Sequence, residues 1–243
     1  MQALAFWTGG LVGAREPAQP LLTLYDGSAR VELSGATTAN WVAKSAYLLV
    51  DGYGGPERVG LLLPLHWQTV ALLLAGVVTG ATVVVADEAA GLAGCPLAFV
   101  TAAEASAALG AGVEDVLVLS MHPLGLPPSD LGPEVFDYAR EVPSYADLWS
   151  GPAPAGIAVE MAGRPVPVPL PDHGLGPGDR VLTVLPPSGT VGLVTGLLAP
   201  LHAGAALVLV PDPATVDLVR IADSEQVTAT VGVHLPGLRR LDG

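Results

Sequence analysis

The chain has 243 residues and a mass of 24.5 kDa, enough for one large or two small domains that bury roughly three-quarters of their unfolded surface. Hydrophobic residues at 51% and charged residues at 14% exclude an intrinsically disordered chain. A formal charge of −13 and a pI near 4.5 repel phosphate backbones and acidic lipid surfaces, which argues against nucleic acid as a partner.

The first fourteen residues hold a short apolar patch, Ala3-Leu4-Ala5-Phe6-Trp7, with no basic region before it, so no secretory leader is expected and the cytoplasm is the expected compartment. One cysteine, Cys95, allows no internal disulfide and no clustered thiolate metal site. Residues 21–25 and 29–33 flank Asp26-Gly27-Ser28 and predict a hairpin. A helix follows, capped by Thr37 or Thr38, with Trp41, Val42, Ser45, Leu48 and Leu49 along one face and residues 52–55 ending it. Residues 59–63 read as a strand, 68–78 as a helix and 81–85 as a strand; two more strands, at 97–100 and 115–119, enclose an Ala-rich helix at 102–109.

From residue 121 to 179 prolines accumulate and periodicity fades, which marks a connector. Its expected regular parts are a short helix near 133–140 and a hairpin around Ala162-Gly163-Arg164. A second strand, helix and strand follow at 180–185, 192–202 and 205–210. Asp212-Pro213 predicts a capped helix running to about Ser224, and residues 227–231 a last strand before a terminal turn.

The uncharged runs at 59–86 and 181–211 are each long enough to span a bilayer. Both divide into a Val/Leu strand, a proline turn, a Gly-containing helix, a glycine and another Val/Leu strand, the pattern of a parallel sheet buried on both faces, which favours sheet over membrane. Their common order, Arg-Val, strand, Leu-Pro, helix, Gly-Ala, strand, aspartate (Asp87 or Asp212), reads as an internal βαβ repeat. The expected fold class is α/β, with a first subdomain at 1–125, a Pro-rich connector at 126–179 and a second α/β unit at 180–243.

Leu22-Thr23-Leu24-Tyr25-Asp26, Asn40-Trp41-Val42-Ala43-Lys44 and Arg58-Val59-Gly60-Leu61-Leu62-Leu63-Pro64 resemble the opening of adenylate-forming (AMP-binding) ligases. Gly178-Asp179-Arg180-Val181-Leu182, Pro186, residues 201–204 and 208–210, and Val227-Thr228 through Gly232-Val233 resemble that superfamily after its phosphate loop. About four-fifths of the chain is covered, and it resembles a short, degenerate actinobacterial set; nine arginines to one lysine agree with a high-GC genome. The resemblance implies two packed, mainly parallel sheets flanked by helices, as in the large domain of an acyl-CoA synthetase, without its small C-terminal domain.

Such enzymes join a carboxylate to AMP, which requires backbone donors and a lysine around the triphosphate. The matching stretch here, residues 158–168, keeps Gly163, Arg164 and Pro165 as a phosphate-loop remnant, while Val166 stands at the lysine position and Glu160 adds a repelling charge. Tyr53-Gly54-Gly55-Pro56-Glu57 mimics the superfamily's Tyr-Gly-x-Thr-Glu motif in letters but is expected to be a plain turn, and Lys44 matches neither of its lysines. The expectation is therefore a non-catalytic homologue with no catalytic residue, no metal and no cofactor. It would bind an acyl-like or nucleotide-like small molecule, a protein partner or a second copy of itself. Ser188, Gly189, Thr190 and Gly192, between a strand and a helix N-terminus, and His234, where the resemblance expects a proline beside the acyl pocket, are the candidate ligand residues. The alternatives are a residual AMP-forming ligase or AMP binder completed by another chain, with ATP and magnesium, and a purely structural interaction protein. The remaining histidines, His66, His122, His173 and His202, lack metal spacing.

Overall fold

A computed structural model describes residues 12–242; the apolar patch at residues 3–7 lies outside them. The described chain is α/β with two mainly parallel sheets. It divides into two compact units, one made of Met1–Thr38, Pro64–Trp67 and Pro167–Gly243, the other of Ala39–Leu63 and Gln68–Val166.

The second unit holds a seven-stranded sheet. In chain order its strands are β3 (Arg58–Leu62), β4 (Thr82–Val85), β5 (Leu97–Thr101), β6 (Asp115–Leu119), β7 (Phe136–Asp137), β8 (Val159–Met161) and β9 (Arg164–Pro165), and in space they run β7-β6-β5-β3-β4-β8-β9. All neighbours are parallel except β8 and β9. The Val/Leu runs are strands because both faces are covered: Val59, Val83, Leu97, Phe99 and Leu117 are all but inaccessible. On one side Leu62, Val100, Val116 and Val118 pack with Leu92 and Ala108.

The first unit holds a six-stranded sheet built from β1 (Pro20–Asp26), β2 (Ala29–Ser34), β10 (Arg180–Thr183), β11 (Ala206–Leu209), β12 (Ala229–Val231) and β13 (Arg239–Leu241), in the order β13-β12-β10-β11-β1-β2. Only the β1-β2 pair is antiparallel. Leu182, Val208 and Val210 pack with Ile221, Val227 and Leu235.

The two sheets share a topology. The order β6-β5-β3-β4 with the hairpin β8-β9 beside β4 corresponds strand for strand to β13-β12-β10-β11 with the hairpin β1-β2 beside β11; β7 is the one addition. The repeat legible in residues 59–86 and 181–211 thus extends to whole sheets. Sequence order grouped the β1-β2 hairpin with the strands that follow it, but β1 pairs parallel to β11, with Leu22 opposite Leu207 and Leu24 opposite Leu209.

Local signals failed where capping residues competed. The helix Gly35–Tyr47 starts earlier than expected because Ser34 Oγ accepts the Thr37 N–H at 3.1 Å, so Ser34, rather than Thr37 or Thr38, is the cap. The helix expected near 133–140 is β7 followed by Tyr138–Glu141, capped by Asp137, whose carboxylate accepts from the N–H groups of Ala139 and Arg140. Asp212-Pro213 starts only the 3-10 turn Pro213–Thr215; the longer helix, Leu218–Ser224, is capped by Asp217. The turn expected after the last strand is present at Pro236-Gly237, with Leu238 N–H donating to the Leu235 carbonyl at 3.2 Å, and a further strand, β13, follows it. Among the described residues no helix is long and apolar enough to cross a membrane.

Candidate functional site

The candidate ligand residues gather at the carboxyl end of the six-stranded sheet. Strand β10 stops at Thr183, and the chain turns through Pro186-Pro187-Ser188-Gly189 into a π-helix, Val191–Leu198, continued by the helix Ala199–His202. The turn is held by Gly189 N–H donating to the Pro186 carbonyl at 3.4 Å and Leu193 N–H donating to the Gly189 carbonyl at 2.8 Å. Only glycine fits at position 192, since a Cβ there would collide with the Pro186 carbonyl oxygen. Ser188 is half-buried, Gly189 and Thr190 are exposed and Gly192 is buried. Thr190 precedes the helix without capping it through its side chain, so the opening N–H groups are not satisfied by the hydroxyl that stands nearest. Behind the turn, Thr183 Oγ1 is buried without a hydrogen-bond partner and sits against Gly196 of the π-helix.

His234 lies on the neighbouring turn, which leaves β12. Val184 N–H donates to the Val231 carbonyl at 3.2 Å, and Gly232, at φ +79°, packs against Leu185. Thr230 Oγ1 donates to the Val233 carbonyl at 2.8 Å and fixes that turn. The structure therefore brings the Ser188 and His234 turns to the same edge of one sheet, with the His234 side chain exposed. Parallel α/β sheets bind ligands at such carboxyl ends.

The phosphate-loop remnant is a tight β-hairpin. Ala162 (φ +49°) and Gly163 (φ +71°) form its two-residue turn, Met161 pairs with Arg164 and Glu160 with Pro165. Val166 N–H donates to the Val159 carbonyl at 2.8 Å. Gly163, Arg164 and Pro165 are exposed and Val166 is half-buried. Arg58 bonds Glu160 at 2.8 Å and holds that carboxyl below its ordinary value. Lys44 Nζ donates to the carbonyls of Tyr145, at 2.5 Å, and Pro143, at 3.3 Å, and so caps the 3-10 turn Val142–Ser144.

Tyr53 opens a turn in which Gly54 and Gly55 take positive φ. Its hydroxyl donates to Glu141 at 2.9 Å and its ring meets Phe136 edge-on at 5.9 Å; burial, then the Glu141 carboxylate, push its pKa up. Cys95 is buried, which raises its thiol pKa. His66 is buried just before the helix Trp67–Thr79, and His202 ends a helix exposed. Among the described residues no group of three or more His, Cys, Asp or Glu side chains could hold a metal ion.

Sequence reasoning missed a charge cluster in the first unit. Glu225, with a side chain only 4% exposed, accepts from Tyr25 Oη at 2.7 Å and pairs with Arg30 at 2.8 Å and Arg180 at 2.9 Å. No local pattern could have signalled contacts between residues 200 positions apart.

No family model matches the chain. A TIGR03089 family protein from Mycobacterium tuberculosis (strain ATCC 25618 / H37Rv) is 39% identical over 222 residues, covering 88% of this chain and 91% of that protein; its source agrees with the compositional bias. Among solved structures, an acyl-CoA synthetase from Brucella canis superposes with a TM-score of 0.69 at 20% identity, over 95% of this chain and 47% of the enzyme. Apo MatB from Rhodopseudomonas palustris gives 0.67 at 16% identity, over 96% and 50%. The ATP-bound RpMatB-BxBclM chimera B3 gives 0.67 at 15%, over 95% and 49%. At such identities the likeness is one of fold, and the chain spans about half the length of these solved structures.

Proposed function

Since the chain belongs to the TIGR03089 family and folds like about half of an acyl-CoA synthetase, we propose that it is a non-catalytic relative of the AMP-forming ligases that binds an acyl-like or nucleotide-like small molecule in the cytoplasm. The hairpin of β8 and β9 carries this proposal. A triphosphate cradle needs several backbone N–H groups turned toward one point and a cation beside them. In the stretch that resembles that cradle the turn has only Ala162 and Gly163, Pro165 has no N–H, and Val166 donates to Val159. Glu160 brings a negative charge to the same strand, neutralised by Arg58. The sole lysine is engaged with the carbonyls of Pro143 and Tyr145. Ser188, Gly189, Thr190 and Gly192, with His234 on the adjoining turn, are the proposed ligand residues. Gly189 and Thr190 are exposed just before the π-helix, a helix start suits an oxygen-bearing ligand, and π-turns recur at functional positions.

Pyrophosphate exchange with MgATP and a panel of carboxylic acids tests the catalytic half of the proposal. The expected rate is background; exchange above it would replace this proposal by the residual ligase completed by another chain, which the half-length match to the solved structures favours as a second possibility. Thermal melts with AMP, CoA and the same acids test the binding half, because a ligand of the folded state raises the Tm. A rise with AMP or an acid that disappears in Ser188→Trp is expected. No rise with any of them at millimolar concentration leaves a protein partner or self-association, which sedimentation and pull-downs then distinguish.

A further inference from the structure

The second unit contains a cavity of about 420 Å³ at the end of its sheet where the strands begin. It lies between the end of the helix Gly35–Tyr47 with its π-turn Leu48–Gly52, the last turn of the helix Trp67–Thr79, and residues 149–155, just ahead of β8. That is the amino end of β3, β4 and β8, opposite to the end where ligands of parallel sheets usually sit. The volume is within the range of small-molecule sites.

Its lining defines the chemistry of an occupant. None of the lining residues carries a charge, in a chain with a formal charge of −13, so a charged ligand would lose its hydration there with no counter-charge in return. The rings of Tyr47 and Trp149 stand with centroids 4.9 Å apart at 59°, and Val50, Val78, Pro152 and Pro154 add apolar wall. Such a pair receives another ring by stacking or edge contact. The hydroxyl pair of Tyr47 and Ser150 leaves one donor over. Tyr47 Oη and Ser150 Oγ share one hydrogen bond at 2.7 Å, and Ser150 N–H donates to Tyr47 Oη at 3.2 Å. One hydroxyl hydrogen of that pair is therefore left for an outside acceptor. Trp149 is only 5% exposed and its Nε1–H is buried, so it is the indole ring rather than its N–H that meets the cavity. The backbone of Gly151 lies directly on the indole, where a Cβ would collide with the ring.

We propose that this cavity is a binding site for a neutral aromatic small molecule bearing a carbonyl acceptor, separate from the Ser188 and His234 turns. The ring would lie against Tyr47 and Trp149, and the carbonyl would take the spare hydroxyl hydrogen. Because it draws on different residues, it stands or falls independently of the proposed function.

Titration of the full ¹⁵N-labelled chain with benzamide, followed at the indole N–H resonances, tests it, with Trp149→Phe assigning the resonance. Benzamide is expected to shift the Trp149 indole signal saturably at millimolar concentration. Toluene, with no acceptor, and benzylamine, which the net negative charge of the chain attracts, are each expected to bind at least tenfold more weakly. Val50 is 38% exposed, so Val50→Arg should keep the fold, as checked by its melting curve, while weakening benzamide at least tenfold. Absence of a saturable shift, benzylamine binding as tightly as benzamide, or Val50→Arg binding benzamide unchanged would each overturn the proposal.

Discussion

Glu225 shows how a single carboxylate becomes structural. Burial pushes its pKa up, but hydrogen bonds from Arg30 and Tyr25, with the charge of Arg180, outweigh burial and hold it below the ordinary glutamate value. The sign follows by linkage. A depressed folded pKa stabilises the protein above the unfolded value of about 4.3, and that contribution is lost as the pH falls through the lower, folded value. Glu225→Gln is therefore expected to lower stability by about 3 kcal/mol at neutral pH, since it takes the counter-charge from Arg180 and leaves it the Thr23 hydroxyl as an acceptor. It should also flatten the fall of Tm below about pH 5 relative to the wild type. An unchanged acid slope in the variant would count against this assignment. Arg58 gives Glu160 the same sign, so part of the slope must survive in Glu225→Gln. Lys44 is a second case of a charge with a structural task. Lys44→Met should lose about 1 kcal/mol in urea unfolding, the worth of a hydrogen-bonded cap. It should leave the thermal response to AMP unchanged; loss of that response would mean that Lys44 serves the ligand.

At the scale of elements, the decisive feature is the β8-β9 hairpin. Ala162 holds φ +49°, a left-handed conformation that disfavours alanine by about 1 kcal/mol and suits asparagine before glycine. Ala162→Asn is expected to raise stability by up to about 1 kcal/mol, read as a higher urea midpoint at an unchanged slope. A loss of stability would show that the turn is not the two-residue hairpin described. The hairpin itself was legible in the sequence at Gly163, which supplies a positive φ without strain. The starts of three helices were not, because Ser34, Asp137 and Asp217 competed with neighbouring residues equally able to cap. A cap is chosen by where the preceding strand releases the chain, which β2 and β7 decide for Ser34 and Asp137.

For the whole molecule, 23 acidic residues face 10 basic ones, and the long-range field is one of self-repulsion. Raising the sodium chloride concentration from about 20 mM to about 300 mM shortens the Debye length to well under 10 Å, and the Tm is expected to rise. A fall would mean that exposed pairs such as Arg30–Glu32 matter more than the excess charge. The matched strand orders of the two sheets make each hairpin the counterpart of the other: β8-β9 stands beside β4 as β1-β2 stands beside β11.

The strands at β3, β4, β10 and β11 were readable from residues 59–86 and 181–211 because burial on both faces of a parallel sheet imposes short Val/Leu runs, which glycine and proline set apart from the equally apolar helices between them. The glycine and proline punctuation of those runs, the repeat and the net charge were equally local properties. Strand order was not, since β1 meets β11 across more than 180 residues and no residue of the hairpin encodes its neighbour. The convergence of the Ser188 and His234 turns, the engagement of Lys44 with carbonyls 99 and 101 positions away, and the meeting of Tyr47 with Trp149 were settled in the same way, by tertiary packing. Local pattern records what an element must bury, whereas the partner it is buried against depends on the whole chain.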